Sequence, residues 1–448
     1  MTAQPLSNKD LWRYSVFAIP IAFAGFPLYV LAPDYFATTY GVSLTLLGFL
    51  LLGLRVFDAI QDPLIGLLSD RYRAATPRFM GISALLLCLA MYGLFNALPV
   101  APALWFSLCI AVAVTAYSVL SINLNTLGGL WTKDPAAQTR IAARREACGL
   151  VGLVIAVSLP ALLKQAVGEA SAYLYFSLIL AGCMLLAWLM FRPWLRQHVS
   201  AVPPAQQKPL LLFAGLRATS RRTRIFLGIY GISMLASAIP AVLVIFFVRD
   251  LLGAEALMGV FLLLYFLSGA LSMPVWKILS RRFGKYRAWA LSMLLAVISF
   301  IWAFFLGSGD LVEYAIICAV SGLALGADLA LPPSILADHI HEGKTEEHAA
   351  SQYALLALFA KLSLAVASAI TLPLLAEAGF VPGASNSAGA LFALSAAYAL
   401  IPCLLKLASA LLLARIFIHS DAGAAHETTH AQPDLRHTHR GSSSHVRQ

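Results

Sequence analysis

The chain has 448 residues, of which 60% are hydrophobic and only 12% are charged, with a formal net charge of +10. Soluble domains carry about 25% charged residues, so this composition excludes a water-soluble enzyme, a disordered chain and a disulfide-rich secreted module. What remains is an all-α integral membrane protein with room for about a dozen spans of about 20 apolar residues each. In chain order, apolar runs occupy about 12–34, 43–67, 79–98, 102–130, 146–167, 171–191, 225–248, 256–279, 287–307, 311–336, 351–378 and 388–416. Backbone groups in hydrocarbon must pair internally, and runs this long and uniformly apolar do not alternate as barrel strands do. Each is therefore expected to be a helix. The N-terminal segment shows no signal-peptide pattern, so the first run is expected to stay as a span.

The Lys/Arg distribution sets the orientation. With the N-terminus inside, the inward segments hold 26 of the 31 basic residues, and the outward loops hold only Lys164 and Arg249. The rest, Arg55, Lys361 and Lys406, lie inside apolar runs. A bias of this size predicts both termini in the cytoplasm. The +10 charge thus reports topology, and no nucleic-acid partner is expected.

A basic inward segment with Pro203-Pro204 divides the runs six and six. The expected organisation is a six-helix bundle over 1–191, a cytoplasmic linker over 192–224, a second bundle over 225–416 and a disordered, solvated tail over 417–448. The second run ends Pro63-Leu-Ile-Gly-Leu-Leu-Ser-Asp-Arg71 and the eighth Pro274-Val-Trp-Lys-Ile-Leu-Ser-Arg-Arg282. This shared P-x4-L-S-x-R pattern marks two pseudo-symmetric halves with a site between them at midplane. The S-D-R and S-R-R ends are expected to form the cytoplasmic contacts of an outward-facing state. The tail histidines are irregularly spaced and are read as solvated rather than metal-binding. The six cysteines lie in apolar stretches and read as small buried hydrophobes.

A charge at midplane is costly and by default marks function. The second run carries Arg55, Asp58, Gln61 and Asp62. Asp58 and Asp62 share one helix face, and two carboxylates that close favour a cation or a shared proton between them. Na⁺, Li⁺ and H⁺ all suit such a site, with Gln61 beside it. The competing reading has Asp62 capping the helix end against Arg71 and Asp58 pairing with Arg55. The fourth run presents Ser118, Ser121 and Asn125 on one face, as solute ligands or as interhelical hydrogen bonders. Arg145 and Glu146 open the fifth run, where Arg145 either holds a polar solute group or anchors at the interface. Lys361 lies deep in the eleventh run and is assigned to solute or coupling. Asp328 in the tenth is its expected partner or a gate residue, and Tyr29 in the first is a candidate to line the path. Lys406 in the twelfth receives no role.

The stretch Arg55-Val-Phe-Asp-Ala-Ile-Gln-Asp-Pro-Leu-Ile-Gly66 resembles the second-helix signature of the glycoside–pentoside–hexuronide:cation symporters of the major facilitator superfamily. Thr115-Ala-Tyr117-Ser118, Leu336-Ala-Asp338-His-Ile-His-Glu-Gly343, Lys361 and Gly379-Phe-Val-Pro-Gly383 resemble that family's later motifs in the same order. The resemblance implies a major facilitator fold of twelve transmembrane helices and alternating-access symport of a small, sugar-like solute with Na⁺, Li⁺ or H⁺. It implies Asp58, Asp62, Gln61 and Ser118 as cation ligands, with Arg145 and Lys361 toward the solute or linking it to the cation site; Tyr29, Ser121 and Asn125 join the solute site by their positions in the first and fourth runs. Arg55, Glu146 and Asp328 fall to coupling or gating. It further implies a monomer in a bacterial inner membrane, with no cofactor beyond the coupling ion. The pattern departs at the glycoside acids: the first run, Phe17 to Ala24, has none, and Ser121 and Asn125 stand where an Asp and a Trp are usual. The cation machinery is kept and the solute site is rewritten.

No H-E-x-x-H, G-x-S-x-G or P-loop pattern supports an enzyme. The rival readings are a proton-driven exporter or lipid-like solute carrier of the same fold, and a non-transporting receptor or scaffold.

Overall fold

A computed structural model describes residues 7–96, 100–199 and 219–418, and among these the chain is helical with no strand. Each apolar run forms a helical segment. The first, α1, spans 8–40 and is broken into Asn8–Ser15, Ala18–Phe26, a π-helical turn at Pro27–Leu31, and Ala32–Tyr40. Pro20, Pro27 and Pro33 remove backbone donors along it, which is the usual cause of such irregularity. Then come α2 (Leu44–Arg71), α3 (Thr76–Asn96), α4 (Pro102–Leu130), α5 (Pro135–Val167) and α6 (Glu169–Val199). The second set is α7 (Arg221–Leu251), α8 (Met258–Phe283), α9 (Lys285–Phe305), α10 (Leu311–Glu342), α11 (Ala349–Glu377) and α12 (Ala388–Ile418). Among the described residues, ten helices, α3 to α12, are long and apolar enough to cross a membrane. Of the other two, α1 is interrupted and α2 carries the charges of interest.

Helix starts follow local chemistry. Ser43, Asp134, Ser220 and Ser387 accept from backbone N–H groups in the first turn of α2, α5, α7 and α12, satisfying donors that a helix leaves unpaired. Tight turns fall on glycine: Gly41 at φ 65° ends α1 and Gly284 at φ 86° separates α8 from α9, a region that other residues avoid.

Several helices outrun their apolar cores at one end. α5 begins at Pro135, and α10 runs to Glu342. These extensions are polar and pack against one another, so hydropathy alone truncates them. The same end carries the starts of α1, α3 and α7 and the close of α12, and it is called the basic end below. The expected linker is taken up partly by α6 and α7. Residues 200–218 of the linker and 419–448 of the tail lie outside the described residues.

Apolar burial divides into halves. One core runs from Leu11 to Leu195 within α1–α6, and two more fill α7–α12. Phe17 stacks on Phe191 at 4.6 Å in the first, and Phe247 on Tyr398 at 4.0 Å in the last. The seam between halves sets alanines against larger apolar side chains. Ile65 and Ile122 meet Ala350 and Ala354, while Ala143 and Leu150 meet Met273 and Ala330. Without a hydrophobic drive between helices in lipid, close packing of small side chains holds such seams. Gly66 of α2 is a point of close backbone approach: a Cβ there would lie 2.7 Å from Ala354 Cβ and 2.8 Å from the Ala350 carbonyl.

Candidate functional site

The i,i+4 spacing on α2 does place Asp58 and Asp62 together, and both are buried, at 3% and 0% exposure. The group between them is the ammonium of Lys361 from α11. Its Nζ donates to Asp58 Oδ1 at 2.7 Å, Asp62 Oδ1 at 2.8 Å and Ser118 Oγ at 2.9 Å. Asp62 Oδ2 lies 2.7 Å from the same ammonium and has no hydrogen bond of its own. Ser118 of α4 donates to Asp58 Oδ1 at 3.2 Å, and Gln61 Nε2 to the same oxygen at 2.9 Å. Gln61 is in turn fixed by Thr115, whose hydroxyl donates to Gln61 Oε1 at 2.7 Å. All four residues expected at the cation site are therefore within one cluster.

The electrostatics follow from the count. Two carboxylates and one ammonium leave one negative charge in a site nearly closed to water. Buried charge of this kind is expensive unless paired and hydrogen-bonded, and here both carboxylates meet the ammonium. The cluster also joins the halves, since the acids belong to α2 and the lysine to α11. Asp62 contacts Lys361 rather than Arg71 at the helix end. Arg55 is half-buried, one turn before Asp58.

Asp328 is not the partner of Lys361. It binds Lys406, the intramembrane lysine left without a role, at 2.5 Å, and accepts from Trp289 Nε1 at 2.9 Å. Lys406 also donates to Ser233 Oγ at 2.9 Å and Ser237 Oγ at 3.0 Å. This pair lies wholly inside the second half, joining α7, α9, α10 and α12. Sequence spacing carries no information about which of two deep lysines an aspartate on another helix will meet.

The solute candidates gather elsewhere. Ser121, Asn125, Arg145 and Glu146 line one cavity of about 80 Å³, with Tyr117 and Ala18 beside them. Arg145 sits well inside α5 and is 4% exposed, which overturns the interfacial-anchor alternative. Helix α5 starts ten residues before it, so a position read as a helix entrance is interior. Its Nε and Nη2 donate to Glu146 Oε1 at 3.0 and 2.5 Å. Asn125 donates back to the Ser121 carbonyl at 2.9 Å, leaving its amide oxygen for other partners. Lys361 is placed at the carboxylates, not in the lining of this cavity. Tyr29 falls in the π-helical turn of α1, and its side chain lies outside the described residues.

Cross-half contacts close the basic end. Asp70 of the S-D-R segment caps the start of α11, accepting from Ala350 N at 2.9 Å, Ser351 N at 2.8 Å and Ser351 Oγ at 2.6 Å. Arg73 binds Asp70 at 2.7 Å and the Glu346 carbonyl at 2.9 Å. The S-R-R segment makes its expected counterpart differently. Ser280 bonds back to Lys277 and Arg282 lies over Phe283. The neighbouring Lys285 does the bridging, to Asp338 at 2.6 Å, the Ser334 carbonyl at 3.1 Å and Gln138 of α5 at 3.3 Å. Thr139 meets Ser334 at 3.0 Å, and His341 meets the Gly129 carbonyl at 2.9 Å. Thr115, Gln138 and Lys285 were not singled out from sequence. Thr115 stands in the quoted fourth-run motif, and Lys285 follows the S-R-R repeat by three residues, so both had a legible signal. Gln138 had none.

The sequence matches the family described as MFS/sugar transport protein over residues 14–420. It is similar to a glucuronide carrier protein homolog of Escherichia coli, at 23% identity over 89% of this chain and 90% of that one. It is also similar to an isoprimeverose transporter of Lactiplantibacillus pentosus, at 22% identity over 89% of this chain and 86% of the other. Among solved structures, a bacterial homologue of the iron transporter ferroportin in its outward-facing state has a TM-score of 0.68 at 14% identity, covering 91% of this chain and 98% of that one. The human organic anion transporter MFSD10 has a TM-score of 0.65 at 16% identity, covering 92% and 100%. These structural likenesses concern the fold.

Proposed function

The chain belongs to the MFS/sugar transport family, and from that premise we propose that it is a cation-coupled symporter of a small, sugar-like solute. The observation that carries this reading is Lys361 Nζ within 2.8 Å of both Asp58 and Asp62. An ammonium there occupies the place a coupling cation needs. Na⁺, Li⁺ or H⁺ entering between the carboxylates displaces Lys361 and takes over its single positive charge. Because the lysine is on α11 and the acids on α2, the exchange changes a contact between the halves. A ligand that binds one arrangement better shifts the balance between them.

The solute site in this reading is the cavity at Ser121, Asn125, Tyr117 and Arg145. A solute hydroxyl or carboxylate competes with Glu146 for the Arg145 guanidinium, whose planar fork suits bidentate recognition. The glucuronide and isoprimeverose relatives support a sugar-like solute. The positive-inside rule assigns the basic end to the cytoplasm, so closure there corresponds to an outward-facing transporter in a bacterial inner membrane. The protein acts as a monomer in this scheme, as each half supplies one side of the site.

The test is uptake of a panel of glucuronides and pentosides into proteoliposomes under imposed Na⁺, Li⁺ or H⁺ gradients. Gradient-driven accumulation by the wild type supports symport. Solute equilibration without accumulation under any gradient indicates that Lys361 is a built-in cation in a passive carrier. No flux of any solute favours a receptor or scaffold.

A further inference from the structure

The cavity beside Ser121 and Asn125 carries its own counter-ion. Polar and apolar groups share its wall, and among the described residues that line it two are charged, Arg145 and Glu146. Arg145 Nε and Nη2 both donate to Glu146 Oε1, at 3.0 and 2.5 Å. Glu146 Oε2 takes no hydrogen bond among the described residues. The Glu146 side chain is 24% exposed, against 5% for that of Arg145. The acid is thus the more accessible member of the pair, with one oxygen in reserve.

The charges around the cavity are matched as well. Tyr117 lies within electrostatic reach of Glu146, Asp58 and Asp62. Those two aspartates meet Lys361, and Arg55 stands one helical turn before Asp58. From the second half, Tyr230 lies within reach of Glu146 and Asp328, and Asp328 holds Lys406. Arg144, next to Arg145 in sequence, lies over the Trp12 ring at 4.3 Å. Tyr14, also beside Arg145, donates to the Leu124 carbonyl at 2.7 Å. The cation in the cavity wall therefore already has its anion.

Resting on the reading of this cavity as the solute site, we propose that Glu146 determines specificity, selecting a neutral polyhydroxylated solute over one that bears a carboxylate. Oε2 accepts from one solute hydroxyl, and a neighbouring hydroxyl accepts from the Arg145 guanidinium. Hydrogen bonds to charged groups of this kind are the strong ones. A solute carboxylate must instead displace Glu146 from Arg145, which leaves two anions against one buried cation. Like charges brought together out of water are costly, so a fixed repulsive group discriminates between the two solute classes.

The test is calorimetric titration of the purified full-length chain in lipid nanodiscs, at pH 7 with Na⁺ and Li⁺ both present. The probes are matched pairs, methyl glucoside with methyl glucuronide and methyl galactoside with methyl galacturonide. The expected result is binding of a neutral member at least about tenfold tighter than its uronide. Glu146→Gln keeps the shape and removes the charge, so uronide affinity rises about tenfold while neutral affinity falls. Glu146→Asp keeps the charge and keeps the preference for the neutral member. A purely structural role for Glu146 would instead weaken both members together in Glu146→Gln. Tighter uronide binding by the wild type, or an unchanged preference in Glu146→Gln, overturns the inference. Ser121→Leu and Asn125→Leu crowd the cavity and check the site itself. Binding that neither substitution weakens, or no binding of any probe by the wild type, overturns the solute-site reading and the inference with it.

Discussion

The ammonium of Lys361 lies 2.7 Å from Asp58 Oδ1 and 2.8 Å from Asp62 Oδ1, so a single residue of α11 closes a carboxylate pair that belongs to α2. It follows that Lys361 competes with any external cation. Lys361→Ala removes the competitor while leaving both acids. Apparent affinity for the coupling cation is expected to rise about tenfold, equivalent to ~1.4 kcal/mol. Cation titration of solute uptake checks this, and a weaker cation dependence contradicts it.

The seam between α2 and α11 depends on the absence of a side chain at Gly66. A valine there meets Ala354 and the Ala350 and Ser351 backbone, which has no freedom to yield. Gly66→Val is expected to wedge the basic end apart, with a stability loss of about 1–3 kcal/mol. Spin labels at Arg71 and Glu347, both at the basic end, read the opening as a longer distance distribution.

Asp328 and Lys406 form a buried pair within one half, 7% and 5% exposed. Lys406→Met strands a carboxylate and is expected to destabilise the protein by about 3–5 kcal/mol, whereas adding Asp328→Asn restores most of that loss. Thermal unfolding of the two single variants and the double variant separates this from a role in coupling. A structural pair recovers uptake with the double variant.

Arg145 donates from Nε and Nη2 to the same oxygen of Glu146, Oε1, and lines the solute cavity. Lysine keeps the charge but not the fork. Arg145→Lys is expected to raise the KM for solute by about tenfold, with the cation midpoint unchanged. Parallel KM and cation titrations distinguish this from damage at the carboxylates.

The spans were legible because hydrocarbon leaves the backbone no alternative to helices. Asp58 and Asp62 were legible because their contact is set within one helix. The partner of each acid was not. Lys361 and Asp58 are 303 residues apart, and their meeting depends on how α2 and α11 cross. The exchange of Lys361 for Lys406 at Asp328 has the same origin. Arg145 was placed at an entrance because the polar first turns of α5, from Pro135, look like loop to a hydropathy reading. Closure by Lys285 rather than the S-R-R residues shows the limit of an internal repeat: it marks equivalent segments, while the bridging side chain shifts by a few positions.

The central claim is that an external cation binds between Asp58 and Asp62 in exchange for Lys361. Its most direct test is gradient-driven solute uptake in proteoliposomes by wild type, Asp58→Asn and Asp62→Asn. The account predicts that each substitution abolishes accumulation driven by the coupling ion, while solute exchange without a gradient persists in at least one of them. Accumulation at the wild-type level in both variants would contradict it.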